Sequence, residues 1–262
     1  MGLVVLLTMS AMALAAPWIA PQNPNQMDLG AALQPPGSPG HLLGTDELGR
    51  DVLSRLIYGS RVSLAVGFSV VGLAGSVGVI LGAVSGYCGG IVNGLIMRLA
   101  DVLMAFPFLL LAIVVVAITG PGLTHVLLVL AGIAWVGYAR LVRSLVLAQR
   151  EEGYVQAARV TGVGQWRIIW RHILPNCVGV IVVQATFDVA AAILVAAALS
   201  FLGMGAQPPT AEWGAMLYSA KQYLRERPWL SIAPGLAILL TVLAINTVGD
   251  ALRDALDPRL RR

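Results

Sequence analysis

The sequence predicts an all-α integral membrane protein with six transmembrane helices, and three observations carry that expectation. First, 58% of the 262 residues are hydrophobic, only 11% are charged, and the mean hydropathy is +0.82, whereas an ordinary soluble domain carries about 25% charged residues. Second, uncharged stretches recur at the length a helix needs to cross a bilayer core about 30 Å thick, roughly 20 residues. Third, Lys and Arg are unevenly divided between alternate connections, the pattern that sets membrane topology. The 29 Gly and 14 Pro fit this class, because transmembrane helices tolerate both better than soluble helices do. Cys88 and Cys177 are far apart and predict neither a disulfide framework nor a metal site. No run of basic residues points to nucleic acid.

The first span is Leu3–Ala20, ending at Pro17-Trp18 and Pro21. Val62–Met97 is uncharged, and Tyr87-Cys-Gly-Gly90 marks the exit of the second span. The 38 uncharged residues between Asp101 and Arg140 are too many for one crossing, and Thr119-Gly-Pro-Gly122 divides them into a third and a fourth. Cys177–Gly203 holds one charge, Asp188, and Pro228–Gly249 holds none. The resulting division is a first helix over 1–20, a first loop over 21–61, and a five-helix core over 62–262 that includes a long connection at 148–176.

The second and fourth connections and the tail together hold 11 Lys and Arg, and the first, third and fifth hold 6. Both termini are therefore expected in the cytoplasm. Trp18, Trp213 and Trp229 are then expected near the outer interface, where amphipathic rings are favoured. A cleaved signal peptide is the rival reading of the N-terminus, since Ala13-Leu-Ala15 resembles a cleavage site. It lacks a basic n-region, and the apolar stretch runs on through Trp18-Ile19-Ala20, so an uncleaved span is expected, with a short basic leader ahead of Met1 left open.

In the first loop, Pro21–Pro39 reads as irregular and extended. Thr45 or Asp46 then caps a predicted amphipathic helix over Asp46–Ile57, with Leu48, Val52, Leu53, Leu56 and Ile57 on one side and Asp46, Glu47, Arg50, Asp51 and Arg55 among the polar residues. Such a helix lies in the outer interface, unless it is a plain lead-in to the second span. Gly78, Gly82 and Gly86, following Gly72 and Gly75, let two helix backbones approach closely. Packing within the chain is the first reading of that stripe, contact with a partner subunit the second.

The fourth connection carries the most information. Tyr154–Val160 reads as a short helix presenting Ala157 and Ala158, broken by Gly162 and Gly164, and Gln165–Ile173 reads as another, with Pro175 turning the chain toward the fifth span. A solvated connector has no need of exposed Tyr154, Val155, Val160, Trp166 and Ile169, so this loop reads as a protein docking surface.

These residues resemble the membrane subunits of binding-protein-dependent ABC importers. The cytoplasmic signature of that family is matched by Gln156-Ala157-Ala158, Gly162 and Ile173-Leu174-Pro175. The chain is more closely similar, over nearly its whole length, to the "C" permeases of dipeptide and oligopeptide importers. That resemblance rests on His41–Asp51, Gly59-Ser-Arg61, Arg98-Leu-Ala-Asp101, Phe106-Pro107, Arg171–Asn176, Leu199–Gly203 and Gln207-Pro-Pro209. Gln156 stands where the family usually has glutamate, which removes the charge for an ion pair but keeps the length. Ala196 stands where relatives often carry glutamate.

The resemblance implies the type I ABC importer permease fold. It also implies a homologous second permease, two ATPase domains that hold ATP and Mg²⁺, an extracytoplasmic solute-binding protein, and a place in the bacterial inner membrane. Tyr154, Gln156, Ala157, Ala158, Arg159 and Gly162 become the residues that couple this chain to an ATPase. The substrate stays open among dipeptides, longer peptides, glutathione, haem and nickel. The chain itself holds no cofactor and no catalytic residue: a P-loop needs a lysine after glycine, and the single lysine, Lys221, follows Ala220.

The main rival is an ion-driven secondary transporter, for which Asp101 and Asp188 are the intramembrane carboxylates. Asp101 is expected to pair with Arg98, one helical turn away. Asp188 and Gln184, at i and i+4, make a polar strip near the middle of the fifth span, either lining the pathway and meeting a substrate's amino group or bonding to another span. No inverted repeat is recognisable. A membrane enzyme is disfavoured because His41, His125 and His172 are scattered and no metal spacing appears.

Overall fold

The computed structural model describes residues 1–256, so the tail cations Arg259, Arg261 and Arg262 lie outside the described residues. Among the described residues the regular structure is helical, with two isolated bridges, Ser38 with His41 and Thr45 with Asp51, as the only β pairing. The helices are α1 (Gly2–Ile19), α2 (Val52–Cys88), α3 (Gly90–Met104), α4 (Phe108–Thr119), α5 (Leu123–Gln149), α6 (Gly153–Val160), α7 (Gln165–Ile168), α8 (Leu174–Phe201), α9 (Trp213–Ala220) and α10 (Trp229–Leu256). Five are long and apolar enough to cross a membrane when α7 and α8 are taken as one run, and α3 with α4 makes a sixth span bent by 87°.

That bend corrects the expected third span. A crossing between Asp101 and Thr119 has only the 12 residues of α4, about 18 Å of helix, so α3 must contribute the rest. The break falls at Ala105–Pro107 because Pro107 has no N–H to donate and disfavours helical backbone at Phe106.

Helix α1 continues unbroken through Ala13–Ala15 and rests on α2 and α10, with Ala13 and Ala16 buried. Its Gly2 lies so close to Thr247 of α10 that a Cβ there would stand 2.6 Å from the threonine Cβ. The start of α1 and the end of α10 therefore share one end of the bundle. Gly179 of α8 also lies there, near Leu256, as does α6, because Arg150 beside it donates to the Gly86 carbonyl at the end of α2. The first loop, the 119–122 turn and the 203–212 segment meet at the opposite end, where Gly122 N–H donates to Met204 and Arg55 to Pro209.

The glycine stripe is an internal packing device. A Cβ at Gly78 would stand 2.4 Å from Tyr138 Cβ and 2.5 Å from the Trp135 carbonyl. One at Gly82 would stand 2.5 Å from the Ala139 carbonyl, and one at Gly86 2.9 Å from that of Arg143. Helices α2 and α5 thus touch backbone to backbone along three turns, which only a residue without a side chain permits in this geometry. Gly72 has no neighbour at all in that sense and lies off the seam.

Trp213 departs from the expected interfacial position. It is fully buried, its indole N–H donates to the Leu56 carbonyl at 3.0 Å, and its ring packs on Gly59, where a Cβ would approach to 2.8 Å. Glu212 caps α9 by accepting from Gly214 and Ala215 N–H, and it points Trp213 inward rather than toward the lipid. Trp18, by contrast, is 83% exposed.

Gly78→Val should lower the melting temperature of the purified protein in detergent, by a loss of about 1–3 kcal/mol from overpacking. Gly72→Val should leave the melt nearly unchanged, and the comparison isolates the seam from general helix propensity.

Candidate functional site

Three regions hold the residues singled out in the sequence. The first loop holds Asp46, Glu47, Arg50 and Asp51, and the expected helix over Asp46–Ile57 is not what forms there. Helix begins at Val52, with Asp51 as its cap accepting from Ser54 N–H at 2.7 Å, and runs directly into the second span. Two local features prevent an earlier start. Asp46 Oδ1 accepts from the N–H groups of Leu48 and Arg50, a turn that competes with helix. Gly49 has φ +70°, and a Cβ there would meet the Asp28 carbonyl at 1.7 Å, so the chain reverses at that point.

Those four residues are also not a solvent-facing strip. Arg50 donates to Asp46 at 2.6 Å and to Glu47 at 3.4 Å, and Arg55 Nε lies 3.5 Å from the same Asp46 oxygen. Asp51 accepts from Ser54 Oγ and pairs with His41 Nδ1 at 3.0 Å. Arg50, Asp51 and Arg55 are all buried. Arg55 further donates to the carbonyls of Pro24 and Pro209, stapling both the first loop and the 203–212 segment to the start of α2. The stretch 21–51 is consequently folded rather than loosely extended.

The second region is the loop around α6. Val155 and Ala158 point inward onto Val142, Val146, Ile168 and Ile173, while Tyr154, Gln156, Ala157 and Arg159 stay exposed on the outer face. Ala157 but not Ala158 is thus exposed, and Val155 and Ile169, expected outside, are buried. The exposed apolar residues are Val160 (89%), Trp166 (61%) and Trp170 (51%). Trp170 was not legible in the sequence. It lies in the π-helical turn Ile169–Ile173, formed where Pro175 cannot donate to the preceding turn. Gly162 adopts φ +77° just after Thr161, the C-cap of α6, so it ends the helix as expected.

Polar contacts join α6 to three spans. The Tyr154 hydroxyl donates to Gln149 Oε1 at the end of α5 and accepts from Asn176 at the start of α8. Arg159 lies 5.1 Å above the Tyr87 ring of α2, and Gln156 donates to the Arg150 carbonyl.

The third region is a cavity of about 390 Å³ between α2, α5, α8 and the α3–α4 break. Gln184 Nε2 donates to Asp188 Oδ1 at 2.9 Å, which forms the expected polar strip, and both line the cavity. The remaining wall is apolar apart from Tyr138, whose hydroxyl is buried beside Asp188 without a well-formed hydrogen bond among the described residues. Tyr138 was missed in the sequence, although a lone hydroxyl inside an apolar span is itself a signal that a partner is needed. Asp101 has no part in the cavity. It pairs with Arg140 across helices rather than with Arg98 on its own, because the α3–α4 break sets α3 alongside α5. Among the described residues no group of three His, Cys, Asp or Glu is placed to hold a metal.

The described residues thus form a six-span helical bundle with a short, partly exposed helix, α6, at one end. Residues 78–262 match the family described as "Binding-protein-dependent transport system inner membrane component", and residues 1–36 match the "N-terminal TM domain of oligopeptide transport permease C". The chain belongs to the first of these families: it is an inner-membrane, multi-pass permease subunit of an ABC importer, working with separate ATPase subunits and not itself an enzyme.

The Escherichia coli (strain K12) dipeptide transport system permease protein DppC is 51% identical over 266 residues, covering 100% of this chain and 89% of the relative. The Pseudomonas aeruginosa di/tripeptide transport system permease protein DppC is 48% identical, covering 99% and 88%. An inward-facing structure of the MetNI methionine ABC transporter aligns with TM-score 0.60 and 19% identity, over 77% of this chain and 96% of that one. This last likeness carries the fold alone.

Arg55→Ala should free the first loop, since removing one partner of a buried ionic cluster costs about 3–5 kcal/mol. Limited proteolysis of the purified protein should then cut within residues 21–51, where the wild-type chain resists.

Proposed function

We propose that this chain forms half of the translocation pathway of an ATP-driven importer of short peptides, the other half being a homologous permease. The observation that carries the substrate class is the set of relatives named for dipeptide transport, 44–51% identical across essentially the whole chain. A solute-binding protein would deliver substrate to the first-loop end. Two ATPase domains, holding ATP and Mg²⁺, would dock at the α6 end. In this orientation the α6 end, with the N-terminus and the end of α10, faces the cytoplasm, in agreement with the excess of Arg in the connections at that end.

The coupling surface is the exposed face of Tyr154, Gln156, Ala157 and Arg159, extended by Val160, Trp166 and Trp170. Ala158 contributes from beneath by holding α6 against the bundle, and Gly162 by ending it. Because α6 is tied by side chains to α2, α5 and α8, an ATPase that pulls on it moves all three spans, a rigid-body switch of packed elements. Division into a first helix over 1–20, a first loop over 21–61 and a core over 62–262, with the coupling loop at 148–176, follows the same logic. The first loop, stapled rather than helical, would serve as a rigid platform at the mouth of the pathway.

An ion-driven transporter receives less support. Asp101 is engaged with Arg140 away from the cavity, leaving Asp188 as the one ionisable carboxylate of the cavity wall, which is too few for a relay of protons.

Gly162→Asp should leave the membrane complex assembled, since no atom lies within 4 Å of a Cβ at that position. The left-handed backbone and the projecting carboxylate would alter the end of α6, and substrate-stimulated ATP hydrolysis should fall at least about tenfold, an estimate from the strain of a non-glycine residue at positive φ. Wild-type stimulated hydrolysis by the assembled mutant, measured in proteoliposomes with the binding protein, would overturn the coupling role. Failure of the wild-type chain to copurify with ATPase subunits would overturn the importer reading as a whole.

A further inference from the structure

We infer that Asp188, Tyr138 and Gln184 form a primary-ammonium subsite in the intramembrane cavity, which holds the free amino group of a short peptide in transit while the apolar wall takes its first side chain. The inference deepens the proposed function and rests on it. Its geometry, however, comes from three features of this chain.

The first is an unbalanced charge. Asp188 is the only charged residue lining the cavity, and among the described residues no Lys, Arg or His pairs with it. By contrast, Asp46, Glu47, Asp51 and Asp101 each have a cationic or histidine partner, and buried Glu212, which has none, has both oxygens engaged by Ser63 and by the N–H groups of Gly214 and Ala215. A lone carboxylate in a membrane span is costly and calls for a cation or a proton. The second is an incomplete hydrogen-bond set. Gln184 supplies one donor to Asp188 Oδ1, which fixes the orientation of the carboxylate and leaves Oδ2 free to accept. The third is Tyr138, 2% exposed and lining the same cavity, whose hydroxyl lies beside Asp188 without a well-formed hydrogen bond and keeps its oxygen lone pairs free to accept.

A carboxylate oxygen and a phenolic oxygen together suit a donor-only group carrying positive charge, and an alkylammonium is the small group of that kind. A carboxylate or phosphate ligand would meet like charge. A fully apolar ligand would leave both polar groups unsatisfied at a cost. The volume, about 390 Å³, lies in the range of small-molecule sites. The residues around the polar pair, Leu103, Phe106, Phe108, Leu130, Ile133 and Val195, would take an aliphatic or aromatic side chain.

The test uses the full permease–ATPase complex in nanodiscs without the binding protein, so that delivery does not select the ligand. Cys88 and Cys177 are replaced by Ala in this chain, and Val195→Cys places a thiol on the cavity wall. Its labelling by N-ethylmaleimide is followed with alanyl-leucine amide, a cation, or with N-acetyl-alanyl-leucine amide, its neutral counterpart, at millimolar concentration. The cation should slow labelling about tenfold and the acetylated peptide should not. Asp188→Asn should abolish the protection. Tyr138→Phe should weaken it while leaving unliganded labelling unchanged.

Equal protection by both peptides, protection by neither, or full protection in Asp188→Asn would overturn the subsite. The same preparation is assayed with the binding protein for peptide-stimulated ATP hydrolysis. Normal stimulation without selective protection sinks the subsite alone, whereas absent stimulation counts against the importer reading.

Discussion

The close contact of α2 with α5 is the constraint on which the other elements depend. Lipid tails are as apolar as leucine, so two helices in a membrane gain little from burying side chains against one another and must be held by packing at short range. The glycines at 78, 82 and 86 allow that range by letting the backbones of Trp135, Ala139 and Arg143 come into contact with α2. With that seam fixed, Tyr138 is buried beside it, and Gly67 meets Ile193 on α8, where a Cβ would stand 2.6 Å from its Cγ1. The same helix pair ends beside α6, so that helix inherits its position from the seam.

Polar groups follow a complementary rule. At the first-loop end the charges are buried but mutually satisfied: Asp46 serves Arg50 and Arg55, and Asp51 serves His41 and Ser54. Such a cluster is weak evidence for net stability, but it fixes a geometry, because few other arrangements of these side chains satisfy every partner. In the intramembrane cavity Asp188 has a hydrogen bond from Gln184 but no counter-charge among the described residues, and the Tyr138 hydroxyl has no well-formed hydrogen bond. Outside the cavity, the Trp229 indole N–H and the Thr241 hydroxyl are also buried without a partner among the described residues, but neither carries a charge.

The α6 loop joins these two halves. Its inward side chains, Val155 and Ala158, are part of the apolar cluster that includes Val142 and Val146 of α5 and Cys177 of α8. Its polar side chains, Tyr154 and Arg159, reach α5, α8 and α2. Together the two kinds of contact tie α6 to these spans as one packed unit, and packed elements switch between discrete arrangements rather than deforming smoothly. Glutamine at 156 keeps the local bond to the Arg150 carbonyl and gives up only the outward charge.

The sequence by itself determined the class of protein, the number of crossings, the short helix α6 and its glycine terminus, and the polar strip of Gln184 and Asp188. Each of these depends on composition or on residues within one or two helical turns, where hydropathy, spacing and backbone freedom act locally. Only the tertiary structure decided the rest. Asp46 and Arg50 looked like one side of an amphipathic helix until Asp28, from the other limb of the loop, was seen to fill the space at Gly49. Asp101 chose Arg140 over Arg98, and Trp213 turned inward to Leu56, because the better partner came from another helix. Tyr138 became a candidate for the site only when α2, α5, α8 and the α3–α4 break enclosed one cavity around it. Local pattern fixes the long spanning helices, whereas the fold of a connection and the partner of a buried polar group depend on distances between elements, and no spacing along a single chain encodes those.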